Sequence, residues 1–120
     1  MRLLILLALL CACTGTRAAD DWSARDAALE SVYIGTLIID AKQTMTVRDN
    51  PTIRESNPVL GPRPSEAKVK NYFTASALIH MAVTDALAPR YRPYFQVGFI
   101  LYEARAINRN RNVFHVHFTF

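Results

Sequence analysis

From Asn71 to Thr84 the only ionisable side chains are Tyr72 and His80. No other feature constrains the fold as much. A helix here is apolar almost all round, so it must be a central core helix or lie in a membrane. Ser65 with Glu66 reads as its N-cap and first turn, and Pro89 as its stop, which predicts a helix over Glu66–Leu87. Ser76, His80 and Thr84 share one side of it, and Asp85 lies well off that side.

A first helix is expected over Ala24–Val47. Ser23 is its N-cap and Asp26 the acid at N3, an approximate capping box. At about 100° per residue, Glu30, Tyr33, Leu37, Asp40 and Thr44 fall within one arc of about 80°. The rest of the surface between Leu29 and Ile39 is apolar apart from Ser31 and Thr36. In water such a stripe faces solvent; in a membrane it faces inward.

Asp49, Asn50 and Pro51 end that helix. The stretch from Arg54 to Pro64 holds three prolines and a glycine and is the main loop. Pro58 holds Asn57 extended, and the apolar Val59 and Leu60 tuck the loop back onto the helices. The run Arg90–Pro93 reads as a basic, aromatic turn. Pro93 then suits the first position of a third helix, about Tyr94–Asn108. On it Gln96 and Glu103 align, while Val97, Ile100, Leu101 and Ala104 form an apolar face. Residues 108–112, alternating Asn and Arg, read as a polar turn. The last residues, Val113–Phe120, alternate in the manner of a strand. The same alternation resembles the closing strand of an outer-membrane barrel. A barrel needs eight such strands, and the tail is read instead as packing on the bundle.

The N-terminus has the layout of a secretory signal: one basic residue, Arg2, then an apolar run from Leu3 to Ala12. That run is about half the length of a spanning helix. Two processing sites are open. Thr16–Ala18 suits ordinary signal peptidase, with the mature chain starting near Asp20. Leu10–Cys13 resembles a lipobox, in which Cys13 would carry the lipid. The chain thus divides into a signal over 1–19 and one helical domain over 20–120. Both cysteines, Cys11 and Cys13, fall in the signal, which excludes disulfides, thiolate metal sites and cysteine nucleophiles from the body. Serine–histidine–acid order, a Gly-rich phosphate loop and metalloprotease motifs are all missing. About 100 residues suffice for one modest core, and 51% hydrophobic composition excludes a disordered body. A net charge of +4 suits anionic lipid or wall polymer.

The expected fold class is all-α: a small three-helix bundle after a signal helix, with a short β-like C-terminal tail. Four groups of side chains are candidates for chemistry. Glu30, Asp40, His80 and Glu103 could form a polar cluster inside the bundle. Glu55, Asn57 and Pro58 form a loop motif suited to a rigid turn or to a cation or glycan. His115 and His117 point the same way on a strand and are a weak pair of metal ligands. The Arg90–Tyr94 turn suits anionic headgroups. For each, an ordinary structural role is the simpler account.

The stretch Asp40–Thr44, then Glu55–Gly61, then Pro64–Ser65 and Tyr72–Phe73 resembles small uncharacterised proteins of bacteria and their prophages. These carry D-x-x-x-T … E-x-N-P-x-L-G between two apolar helices; related patterns occur in membrane proteins known only as domains of unknown function. The resemblance covers Asp40 to Phe73. It implies a helical, membrane-associated chain and carries no activity. The expectation is therefore an exported, membrane-associated envelope protein, structural or interactive rather than enzymatic. Its expected partners are membrane lipid or an envelope protein, without nucleic acid and without a cofactor. The alternative is a metal- or proton-handling enzyme or carrier that uses the acidic–histidine interior.

Overall fold

A computed structural model of the chain describes residues 21–113 and His115. The expected signal segment, Cys13, His117 and nearly all of the expected β-like tail lie outside the described residues. What is described is an all-α bundle of three helices: α1 (Ala24–Asp49), α2 (Glu66–Ala86) and α3 (Arg92–Val113).

The caps form as the sequence dictates. Ser23 Oγ accepts from the Asp26 amide at 3.1 Å, and Asp26 Oδ2 accepts from the Ser23 amide at 3.1 Å. The reciprocal pair satisfies two donors that the first turn would otherwise leave open. Ser65 Oγ accepts from the Lys68 amide at 3.2 Å and starts α2. Arg63 donates to the Asn50 and Pro51 carbonyls at 3.0 and 2.7 Å and closes the end of α1.

Helix α3 departs from the expectation at both ends. It begins at Arg92, before Pro93, and runs through Asn108–Asn112 to Val113. That run is not the polar turn its composition suggests. Its side chains have tertiary partners: Asn110 Nδ2 donates to Asp40 Oδ1 at 3.0 Å and to Gln43 Oε1 at 3.2 Å. Gln43 Nε2 in turn donates to the Ile107 carbonyl at 3.3 Å. These contacts hold the last turns helical against low local propensity.

The interior is unusual in kind. Among the described residues, six hydrophobic side chains are buried, against nine polar or charged ones. The α1 stripe faces inward: Glu30, Tyr33, Leu37 and Thr44 are buried and Asp40 is half-buried. The outer faces are apolar instead. Val32 on α1 is 52% exposed, Leu78 on α2 61% and Leu101 on α3 65%. Helix α2 is therefore not a central core helix, since Leu78, Ile79 and Met81 all face out. No described helix is long and apolar enough to cross a membrane.

Arg92 joins the three helices at one end. It is 1% exposed, so the Arg90–Tyr94 turn is not the fully solvent-facing basic patch its composition suggests. Its Nε donates to the Thr84 and Leu87 carbonyls, both at 3.1 Å, and Nη2 to the Asp85 carbonyl at 3.2 Å. The guanidinium thus caps the C-terminus of α2, where open carbonyls carry partial negative charge. Nη1 lies 3.5 Å from Asp26 Oδ2 on α1. Gln96, one turn further along α3, donates to the Asp26 carbonyl at 2.8 Å and to Glu30 Oε2 at 3.1 Å.

Replacing Arg92 with Met should destabilise the fold by about 3–5 kcal/mol, because it strands a buried carboxylate and several carbonyls. Arg92→Lys should fall between, having no planar fork to span them. Urea denaturation measures both; a loss below about 1 kcal/mol for Arg92→Met would mean the buried guanidinium is not what ties the helices.

Candidate functional site

The four polar residues expected to cluster do not form one group. They form two pairs at different levels of the bundle. At the upper level, His80 Nδ1 lies 2.9 Å from Glu30 Oε1. The His80 ring is stacked between Tyr33 (centroids 3.7 Å apart) and Phe95 (4.7 Å), with Phe99 edge-on. Burial among these rings pushes the imidazole pKa below its ordinary value, against the opposing pull of Glu30. The neutral ring therefore donates from Nδ1 to the Glu30 carboxylate. Beside this pair, burial acts to raise the Asp26 carboxyl, but hydrogen bonds from Ser23, Arg25 and Arg92 outweigh it and hold the group below the usual range.

At the lower level, the carboxyls of Asp40 on α1 and Glu103 on α3 lie close enough to shift each other's titration. Burial raises both. Asp40, also repelled by Glu55, titrates at about 6. Glu103, repelled by Asp40, titrates at about 7. Their interaction lowers Asp40 and raises Glu103, so Glu103 keeps its proton to the higher pH. Two carboxyls in contact titrate as a pair and keep one proton near neutrality.

This pair forms part of the floor of a groove of about 480 Å³ between the main loop, α1, α2 and α3. The expected loop motif forms its rim. Glu55 Oε1 accepts from the Asn57 amide at 2.7 Å, and Asn57 Oδ1 from the Val59 amide at 3.0 Å. The turn closes where the Gly61 amide donates to the Asn57 carbonyl at 2.9 Å. Gly61 has φ +77°, a conformation that costs a residue with Cβ about 1 kcal/mol or more. Arg109 ties the loop to α3 through the Ser56 hydroxyl. Glu55 and Asn57 thus build a rigid turn, and Pro58 lies exposed at its tip beside the groove.

The groove draws together the segments that carry the sequence pattern. Asp40, Thr44, Glu55, Asn57, Leu60 and Tyr72 all line it, although they are spread over two helices and a loop. Among the described residues no group of three or more His, Cys, Asp or Glu is placed to hold a metal ion. His115 is exposed, and its expected companion His117 lies outside the described residues. Arg92, Gln96, Gln43 and Asn110 complete the polar interior. The sequence reading did not assign them to it; the alignment of Gln96 with Glu103 was the one available signal. Comparison with models of protein families, with curated proteins and with solved structures finds no match.

Glu103→Gln should show what the pair costs. In the native protein Glu103 keeps a proton between its ordinary pKa and about 7, a window in which the unfolded chain has released it. Stability therefore falls as pH rises through that window and stays reduced above it. The glutamine amide can donate to Asp40 at every pH. The variant should match the native protein near pH 5 and exceed it by about 1–3 kcal/mol at pH 8. Denaturation midpoints at the two pH values test this; equal differences at both would show that Glu103 does not hold a proton on folding.

Proposed function

We propose that this chain is an exported, membrane-associated envelope protein with a structural or interactive role, seated with its apolar outer faces in the edge of a lipid layer. The observation that carries this reading is the inverted distribution of polarity. Side chains that seek water are inside, and large apolar ones point outward on all three helices. Each such side chain left in water forgoes about 1.5–3 kcal/mol of burial. A single protein partner would call for one patch on one side. An apolar surface on three helices of a bundle suits lipid.

Charge placement supports the same orientation. From Ala27 to Ile39 on α1, no exposed side chain is charged. Those 13 residues span about 20 Å, less than the roughly 30 Å of a hydrocarbon core. The reading is thus of a partly embedded bundle. Below that belt the loop end exposes Arg54, Arg63, Lys68, Arg105 and Arg109, while its exposed acids Asp49 and Glu66 pair with Arg48 and Lys70, which leaves a basic rim suited to anionic headgroups. The resemblance over Asp40–Phe73 points the same way. A lipid on Cys13 would strengthen the attachment, and the intact mass of the processed protein distinguishes that form from a chain beginning near Asp20.

A second reading, proton handling by the interior, is favoured by one feature, the Asp40–Glu103 pair at the base of an open groove.

With Cys13→Ala to remove any tether, the full chain should float with vesicles containing anionic lipid, and less with zwitterionic ones. Leu78→Glu combined with Leu101→Glu should abolish flotation while leaving the helical circular dichroism intact. A folded, monomeric Cys13→Ala protein that stays at the bottom of the gradient with both vesicle types would overturn the reading.

A further inference from the structure

We propose that the groove beside the main loop binds an organic cation, and that the cation enters as one proton leaves the Asp40–Glu103 pair. The inference rests on the groove alone and does not depend on placement in lipid.

The groove has the size of a small-ligand site, about 480 Å³. Tyr72, Phe73 and Tyr102 are among the residues that line it. Carboxylates at the floor with aromatic rings at the sides are the chemistry that recognises ammonium groups. Glu103 is 8% exposed, yet its Oε2 has no hydrogen-bond donor from the rest of the protein. A buried oxygen of this kind is costly unless a proton or another positive group meets it.

The charges facing the pair come from every element around it. Asp40 comes from α1, Glu55 from the loop, Tyr72 from α2, and Tyr102, Glu103, Arg105 and Arg109 from α3. With one proton on the pair, one negative charge there and one on Glu55 balance the two arginines. Loss of that proton leaves a single unbalanced negative charge. A monovalent cation restores neutrality, so cation uptake and proton release are one exchange: the proton goes to solvent as the cation reaches the carboxylates. Titration of the pair at about 6 and about 7 makes the proton exchangeable near neutral pH. Linkage then requires the reciprocal effect, tighter cation binding at higher pH.

The test uses the full chain in nonionic micelles, titrated calorimetrically with benzyltrimethylammonium chloride in two buffers of different ionisation heat. Near pH 6.5 about one proton should be released per cation, and affinity should rise by up to tenfold per pH unit below about pH 7. Glu103→Gln should bind about tenfold more weakly at pH 8, with well under one proton released at pH 6.5 and an affinity flat above about pH 7, because only Asp40 then titrates. Tyr102→Leu alters an exposed ring away from the folding core; it should weaken binding several-fold while leaving the proton count unchanged. Absence of binding at millimolar cation, affinity independent of pH, or preferential binding of benzoate through Arg105 and Arg109 would each overturn the proposal.

Discussion

The buried guanidinium of Arg92 is the contact on which the rest of the bundle depends. A short connection, Leu87–Tyr91, must turn α2 back into α3, and the carbonyls at the end of α2 face inward there. Arg92 satisfies them and reaches the carboxylate that caps α1. One side chain thereby fixes the end of one helix, the start of a second and the register of the third. Gln96 and Glu30 extend the same network one turn down, so the polar stripe of α1 faces inward along its length. Once that stripe is inside, the apolar faces have no place but the exterior.

The polar interior is held by pairing. Buried charge is tolerated where each group meets an opposite charge, a shared proton or a fixed dipole. Asp26 has Arg92, Glu30 has His80 and Gln96, and Asp40 has Glu103 and Asn110. The surface ion pairs, such as Lys70 with Glu66 at 2.6 Å, contribute little by comparison, because solvent screens them.

Much of this was legible in the sequence where the signal is local. Ser23 with Asp26, Ser65 and Pro89 marked the helix ends, and the spacing of Glu30, Tyr33, Leu37, Asp40 and Thr44 marked a single face of α1. Which way that face turned was not legible, because the same stripe serves a bundle in water or in lipid. Arg92 read as part of an exposed basic turn because nothing in Arg90–Pro93 encodes the carbonyls it meets on α2. The Asn-rich end of α3 read as a turn because its partners, Asp40 and Gln43, lie about 70 residues away. That Glu30, Asp40, His80 and Glu103 divide into two pairs depends on the heights at which neighbouring helices align, and periodicity along one helix does not contain that information.

Between the two polar levels lies a different layer. Tyr33, Leu37 and Phe73 are buried there, with Phe99 and Ile100 packed against them. This layer separates the two pairs without isolating them. A proton gained or lost at Asp40 and Glu103 is felt across it at Tyr33, whose phenol is pushed up by burial and by both Glu103 and Glu30, and whose ring stacks on His80. The groove at the loop end is the route by which that lower pair exchanges with its surroundings. The bundle thus has two ends of different character, joined through Tyr33: one is held by Arg92 and Asp26, and the other follows the acidity of whatever bathes the loop.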